Sequence, residues 1–316
     1  MYTIDKLRID NDEFYILDKK QKVILVFDKS GKYLRKLNKI GRGPDEYLSL
    51  NDFFIFNSHV YVLSHEMQKI LKYDMSFNLK NTFNTHTYAS NIEYFDSKIF
   101  LYTNYSSISG HNLYIYDMET GEILNKYMNY NLKQLGTQYR RTTFAKDEEN
   151  IYLFLPYDYN IYILNEKNET IFLSLNFGES KMFSEEFKNF STEEKNYYIK
   201  SRYTGFDALP INGINNLHIS KDLIYFTFVY LTLQYSLFFD KKIEKFQLGC
   251  LIRTEKFPLA SAEPLLVINN SLISFEAPDD FSKIAESYER KNISVPQILK
   301  AIKPEGNPVL CIHHFK

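Results

Sequence analysis

Tryptophan is absent from this chain of 316 residues, and it holds only two cysteines, 9 prolines and 11 glycines. A chain so poor in glycine and proline is not a low-complexity or disordered segment. The cysteines, Cys250 and Cys311, each sit in an apolar stretch and read as buried thiols rather than a disulfide. Two of them do not fix the redox compartment. Net charge is also missing: 38 Lys and Arg balance 39 Asp and Glu to −1, and no basic patch is sustained. That excludes the electrostatic footprint of a nucleic-acid binder. Long hydrophobic runs are lacking too. The longest uncharged stretch, Leu223 to Phe239, is short for a membrane span of ~20 residues. It carries Thr227, Thr232, Gln234 and Ser236 and reads as two adjacent buried strands. Met1-Tyr2-Thr3-Ile4-Asp5 enters directly into strand-like alternation, without the basic and apolar regions of a signal peptide.

What is abundant is aromatic surface. With 26 Tyr, 26 Phe and 44% apolar residues, the composition favours half-buried pleated surfaces and supports a sizeable core. The length allows two ordinary domains or one large all-β domain, and a repeat decides between them. A short apolar run ending in an aromatic residue and Asp recurs at Val23–Asp28, Ile70–Asp74 and Leu113–Asp117. A weaker copy lies at Ile161–Asn165, and another at Ser236–Asp240. From Asp28 onward the spacings are 46, 43, 48 and 75 residues, and a sixth copy, Val309–His314, ends 74 residues after Asp240. Two strands precede each copy, the earlier being Ile4–Ile9, Phe53–Phe56, Ile92–Phe95, Thr142–Ala145, Leu217–Ser220 and Leu265–Ile268. A polar turn and a fourth strand follow each of the first five copies. Four antiparallel strands in ~40–45 residues form a propeller blade. The expected fold is therefore all-β, a single six-bladed β-propeller domain over residues 1–316.

The two long spacings predict helical insertions, at about 183–206 between blades 4 and 5 and about 279–303 within blade 6. Ser184-Glu185-Glu186-Phe187 and Ser191-Thr192-Glu193-Glu194 carry serine caps with acids in the first turn. Asp279–Tyr288 and Val295–Ile302 carry helical spacing. No fourth strand follows the sixth copy, so either the last blade has three strands or a closing strand precedes Met1. The second alternative is favoured: a truncated or processed N-terminus, with a secretion segment lost alongside the strand.

The most constrained loop is Lys39-Ile40-Gly41-Arg42-Gly43-Pro44-Asp45-Glu46-Tyr47. Its two glycines supply backbone angles closed to other residues, and the proline fixes φ. Gly41 to Tyr47, followed by Asp52-Phe53, resembles the G-x-G-P-G-E-Y signature of six-bladed β-propeller proteins abundant in Bacteroides and relatives, which are related to NHL-repeat propellers. The likeness extends to the aromatic-Asp strand ends, the insertion after the fourth unit, and Asn307-Pro308-Val309-Leu310 at the start of the final strand. Asp45 stands where that family has Gly, and Asp tolerates left-handed backbone better than most residues. The resemblance implies a periplasmic or cell-surface protein, exported or lipid-anchored, with no assigned activity.

In such a ring, the links between blades and the loops joining second to third strands share one face. Variable loops on a rigid scaffold carry ligands. The candidates there are Arg42, His65, Asn104, Tyr105, Tyr139, Arg140, Arg141, Tyr157, Tyr159, Arg202 and Tyr203. Rings mixed with Arg, Asn and Asp suit a carbohydrate or a peptide. Each has a structural alternative. Arg42 pairs with Glu46 or caps neighbouring carbonyls, His65 is a surface loop histidine, Tyr157 and Tyr159 pack on the next blade, and one of Arg140 and Arg141 points into the central channel. The repeated aspartates hydrogen-bond their following turns. No nucleophile signature, His-x-x-x-His or Cys-x-x-Cys is present, and Gly41-x-Gly43 lacks the third glycine of a dinucleotide fingerprint. No cofactor or metal is expected. Three readings stay open: a non-catalytic module binding a carbohydrate, peptide or partner protein on the loop face; an NHL-like lyase or hydrolase with its site in the central funnel; and an assembly role for the insertions.

Overall fold

Period-2 alternation of apolar residues makes short strands that bury side chains on both faces of a sheet, and the turn chemistry decides how they join. The computed structural model describes residues 4–134, 143–203, 209–250, 264–268, 271–276, 278–290, 294–295 and 309–314. Its strands form six antiparallel sheets, five of four strands and one of three, each paired in sequence order. The innermost strands are Lys6–Asp10, Asp52–Phe56, Asn91–Phe95, Phe144–Lys146, Asn215–Ile219 and Pro264–Ile268. Each contacts the innermost strand of the next blade, and the first contacts the sixth, so the ring is closed. The fold is the six-bladed β-propeller expected from the repeat.

Local chemistry explains the blade. In blades 1 to 3 two residues join the first and second strands, and both take positive φ: Asn11 and Asp12 (47° and 62°), Asn57 and Ser58 (46° and 54°), Asp96 and Ser97 (47° and 58°). These are type I′ angles, whose twist matches the flanking strands and which Asn and Asp tolerate. The aromatic-Asp repeat has a cause as well. The register between third and fourth strands shifts at Val26/Phe27, Lys72/Tyr73 and Ile115/Tyr116, just before each Asp. Past that bulge the carboxylate turns into its own loop. Asp28 accepts from the Ser30 and Lys32 amides at 2.8 and 3.0 Å, and Asp74 from those of Ser76 and Asn78 at 3.0 and 2.8 Å. Asp117 and Asp240 behave alike, accepting from the Thr120 and Lys242 amides at 2.7 and 2.8 Å. Hydrogen bonds led by the Ser30 hydroxyl at Asp28 and by the Asn78 and Thr120 amides at Asp74 and Asp117 hold these three carboxyls below their usual range.

The core lies between blades. Blades 1 and 2 meet through Tyr15, Val26, Phe53 and Tyr73, and the ring closes where Ile4, Leu7 and Ile16 pack on Leu265 and Ile273 of blade 6. Flat rings fill the wedge between facing sheets, and buried tyrosines keep a polar handle. The Tyr73 hydroxyl donates to the Asp45 carbonyl at 2.9 Å, and that of Tyr116 to Thr85 at 2.6 Å.

Two expectations are corrected. The Ser184 side chain makes no capping bond to the helical turn that follows it, Glu185–Asn189, which is a 3-10 helix. The neighbouring helix α1, Thr192–Arg202, is capped as read, by reciprocal bonds between Ser191 and Glu194. Cys250 and Cys311 are free but not buried: the first is exposed and the second half-buried. Both belong to outer parts of their blades. Cys250 follows the outermost strand Lys245–Gly249, whose five residues are all exposed. Blade 6 carries helix α2, Pro278–Arg290, between its second and third strands. The second helix expected there, Val295–Ile302, falls almost wholly outside the described residues.

Candidate functional site

The signature loop is built as a lock between blades 1 and 2. Glu46 folds back and its Oε2 accepts from the Gly43 amide at 2.7 Å. A Cβ on Gly41 would stand 1.9 Å from that oxygen, so the carboxylate can lie where it does only over a glycine and would otherwise have to swing aside. Tyr47 is fully buried, its hydroxyl donates to the Lys22 carbonyl at 2.9 Å, and its amide donates to Lys39 at 2.9 Å. Lys39 bonds the Asp45 carboxylate at 2.6 Å and thereby lowers its pKa. Asp45 is not among the residues of positive φ, so its replacement of the family's Gly needs no left-handed backbone. Arg42 is exposed, and the expected pairing with Glu46 is not formed. Gly41→Ala should displace the Glu46 carboxylate and cost about 1.5–3 kcal/mol, the range for a hydrogen bond to a charged group. In a Glu46→Ala background the same substitution should cost little, and urea unfolding of the four-member cycle will read that coupling. Additive costs would contradict the lock.

The other candidates do not converge on one point. His65 Nδ1 lies 2.9 Å from the Ala89 carbonyl, and its ring packs on Tyr88 at 5.0 Å. Tyr157, Tyr159 and Tyr203 gather beneath the insertion that carries α1. Tyr157 meets Phe183 and Phe187 edge-on, Tyr203 contacts Phe183 and Tyr198, and the Tyr159 hydroxyl donates to Ile211 at 2.7 Å. Arg202 lies over the Tyr198 ring at 4.3 Å. Asn104 is buried and accepts from the Tyr102 hydroxyl at 3.4 Å. Tyr139, Arg140 and Arg141 lie outside the described residues.

Tyr105 stands apart. It meets Tyr130 edge to face, with centroids 5.0 Å apart, at a cleft of about 200 Å³ between blades 3 and 4. The cleft is braced from below. Asn112 accepts from the Tyr105 amide at 2.7 Å, the Tyr162 hydroxyl donates to Asp158 at 2.7 Å, and Gln134 donates to the Lys188 carbonyl at 2.6 Å. Asn129, Glu169 and Asn189 also line it, with side chains that no described residue hydrogen-bonds.

A second polar cluster occupies the inner ring, on strands rather than loops. Lys6 bonds Asp52 at 2.6 Å, and both are buried. Asp52 also accepts from the Ile92 amide and from Asn91 at 3.0 and 3.3 Å, and Asn91 accepts from Thr143 at 3.1 Å. Glu93, 3% exposed, takes Arg8 on one carboxylate oxygen and Lys146 on the other, the latter at 3.1 Å. The ion pairs thus tie blade 1 to blades 2 and 3, and blade 3 to blade 4. Several of these groups satisfy backbone of the inner edge that no further strand can pair, such as the Ile92 amide. Burial, and next the Arg8 charge, lower the Lys6 pKa to about 8, against the pull of Asp52 and Glu93. The signal was available in the sequence: Lys6 and Glu93 each interrupt a strand assigned to the innermost position, and Asp52 immediately precedes another.

This ring of blades, with a charged inner wall and an aromatic cleft, defines a six-bladed β-propeller. The sequence matches the model of a domain of unknown function, DUF4934, over residues 1–314, and the chain belongs to that family. Among solved structures it is similar to one described as an exported protein of Bacteroides fragilis, at 17% identity and a TM-score of 0.76, covering 98% of this chain and 90% of that one. A member of the DUF4221 family from Bacteroides vulgatus matches at 11% identity and a TM-score of 0.48, covering 78% of this chain and 80% of that one. Virginiamycin B lyase from Staphylococcus aureus matches at 11% identity and 0.47, covering 79% and 70%. No curated protein matches the sequence. No helix among the described residues is long and apolar enough to cross a membrane.

Proposed function

We propose that the chain is an exported, non-catalytic binding module that holds a carbohydrate in the cleft between blades 3 and 4. One observation carries the reading: the Tyr105 and Tyr130 rings, 5.0 Å apart, stand over a braced floor beside the unengaged side chains of Asn129, Glu169 and Asn189. Rings take the apolar face of a sugar, and convergent amides and carboxylates take its hydroxyls. Export is supported by the Bacteroides fragilis neighbour, which is described as exported. Screening an oligosaccharide panel by calorimetry tests the reading. A saccharide should bind, and Tyr105→Ala or Asn129→Ala should each weaken it about tenfold, the worth of one good contact. Thermal unfolding of Asn129→Ala should match the wild type. If no saccharide binds, or both variants bind like the wild type, the reading fails.

A further inference from the structure

The central cavity, about 230 Å³, is divided in its chemistry. One wall is charged, formed by Lys6, Arg8, Asp52, Glu93 and Lys146 of blades 1 to 4, with Asn91 and Thr143 beside them, and the opposite wall is mainly apolar, from Leu217 and Ile219 of blade 5 to Leu265–Ile268 of blade 6, with His218 as its polar member. Among the described lining residues three cations face two carboxylates, which leaves one positive charge in excess. A charge excess in a low-dielectric concavity focuses potential and attracts a counter-ion.

The cations differ in what they have left to give. Lys6 and Asp52 are spent on each other, with side chains only 8% and 3% exposed. Arg8 uses one nitrogen on Glu93 and another on the Leu7 carbonyl at 3.2 Å, so three of its five N–H donors remain. Lys146 donates to Glu93 and to the Tyr94 carbonyl at 3.1 and 3.2 Å and rests its ammonium 3.3 Å from the Tyr94 ring centroid, so Arg8 has the more to give and Lys146 adds mainly its charge. Their side chains are 23% and 30% exposed, while the Glu93 that positions both is sealed at 3%. Two cations clamped on one buried carboxylate are held in place before any ligand arrives, which reduces the ordering cost of binding.

We propose that this cavity is a second binding site, taking a small organic monoanion whose carboxylate sits on Arg8 and Lys146 and whose apolar body lies against blades 5 and 6. The volume falls below the ~300 Å³ at which pockets for drug-sized ligands begin, so the ligand is small. The single excess charge matches a monoanion, since a dianion would leave the buried cluster negative.

The probe is benzoate, set against benzamide, which has the same shape without the charge, and a panel of linear carboxylates. Titrations use the full chain and need no variant for the first comparison. Benzoate should bind at least tenfold tighter than benzamide, because charge-assisted hydrogen bonds are about twice as strong as neutral ones. Added salt should weaken benzoate and leave benzamide unchanged. Arg8→Gln should weaken benzoate about tenfold while the saccharide of the outer cleft, measured on the same variant, binds as before. Failure of every carboxylate in the panel to bind, or equal binding of benzoate and benzamide, overturns the proposal. So does unchanged benzoate affinity in a folded Arg8→Gln protein.

Discussion

Glu93→Gln should lower the free energy of unfolding by about 3–5 kcal/mol, the usual result of removing one partner from a buried ion pair. Glutamine keeps the shape of the side chain and removes its charge. Arg8 and Lys146 then lose the buried carboxylate on which both are held. The loss spreads over three blades, because Arg8 belongs to the first, Glu93 to the third and Lys146 to the fourth. Urea unfolding at neutral pH reads the effect as a lower midpoint with an unchanged slope. Acid gives a second reading of the same group. Burial pushes the Glu93 carboxyl up, but the charges of Arg8, Lys146 and Lys6 together outweigh it and hold the group well below its ordinary 4.5. A depressed folded pKa means the contribution is complete above that ordinary value and is lost as pH falls below it. The wild type should therefore lose stability with acid in that window, and Glu93→Gln should flatten the slope there. A variant as stable as the wild type, with the same acid slope, would remove the inner ring from the energetics of the fold.

Tyr47→Ala should cost a similar ~3–5 kcal/mol, the range for emptying a large buried aromatic site. The ring sits in the cluster between blades 1 and 2 with Leu37, Leu50 and Phe53, and the hydroxyl bonds the Lys22 carbonyl. Tyr47→Phe keeps the ring and should cost only about 0.5–1.5 kcal/mol, the net worth of one hydrogen bond. Thermal unfolding will separate the two. If the phenylalanine variant is as damaged as the alanine one, the hydroxyl and not the ring is the anchor. If neither is damaged, the signature loop is not a lock.

The architecture was legible because each blade repeats the same local chemistry. In blades 1 to 3 an Asn or Asp opens each pair of successive positive φ angles, and an Asp follows the bulge between the third and fourth strands. These signals are local, so spacing alone counts the blades. Burial was less legible, since an apolar run does not say whether its strand lies inside or outside the blade; Cys250 was misjudged for that reason. The sites were least legible. The signature loop drew attention as a binding element, yet its glycine, glutamate and tyrosine are consumed by one another and by blade 1. Lys6, Asp52, Glu93 and Lys146 come from separate strands whose meeting point exists only once the ring closes. Tyr105 was among the candidates, but its partner Tyr130 lies on the far side of the hairpin and was not.

Under the proposed function, ligand recognition lies away from the signature loop, in the cleft between blades 3 and 4. A calorimetric titration of one bound saccharide against Arg42→Ala and Asn129→Ala, two positions whose exposed side chains no described residue hydrogen-bonds, tests this directly. Affinity should survive loss of the arginine and fall about tenfold with loss of the asparagine. The reverse pattern, with Arg42 required and Asn129 dispensable, would return the site to the signature loop and contradict the account.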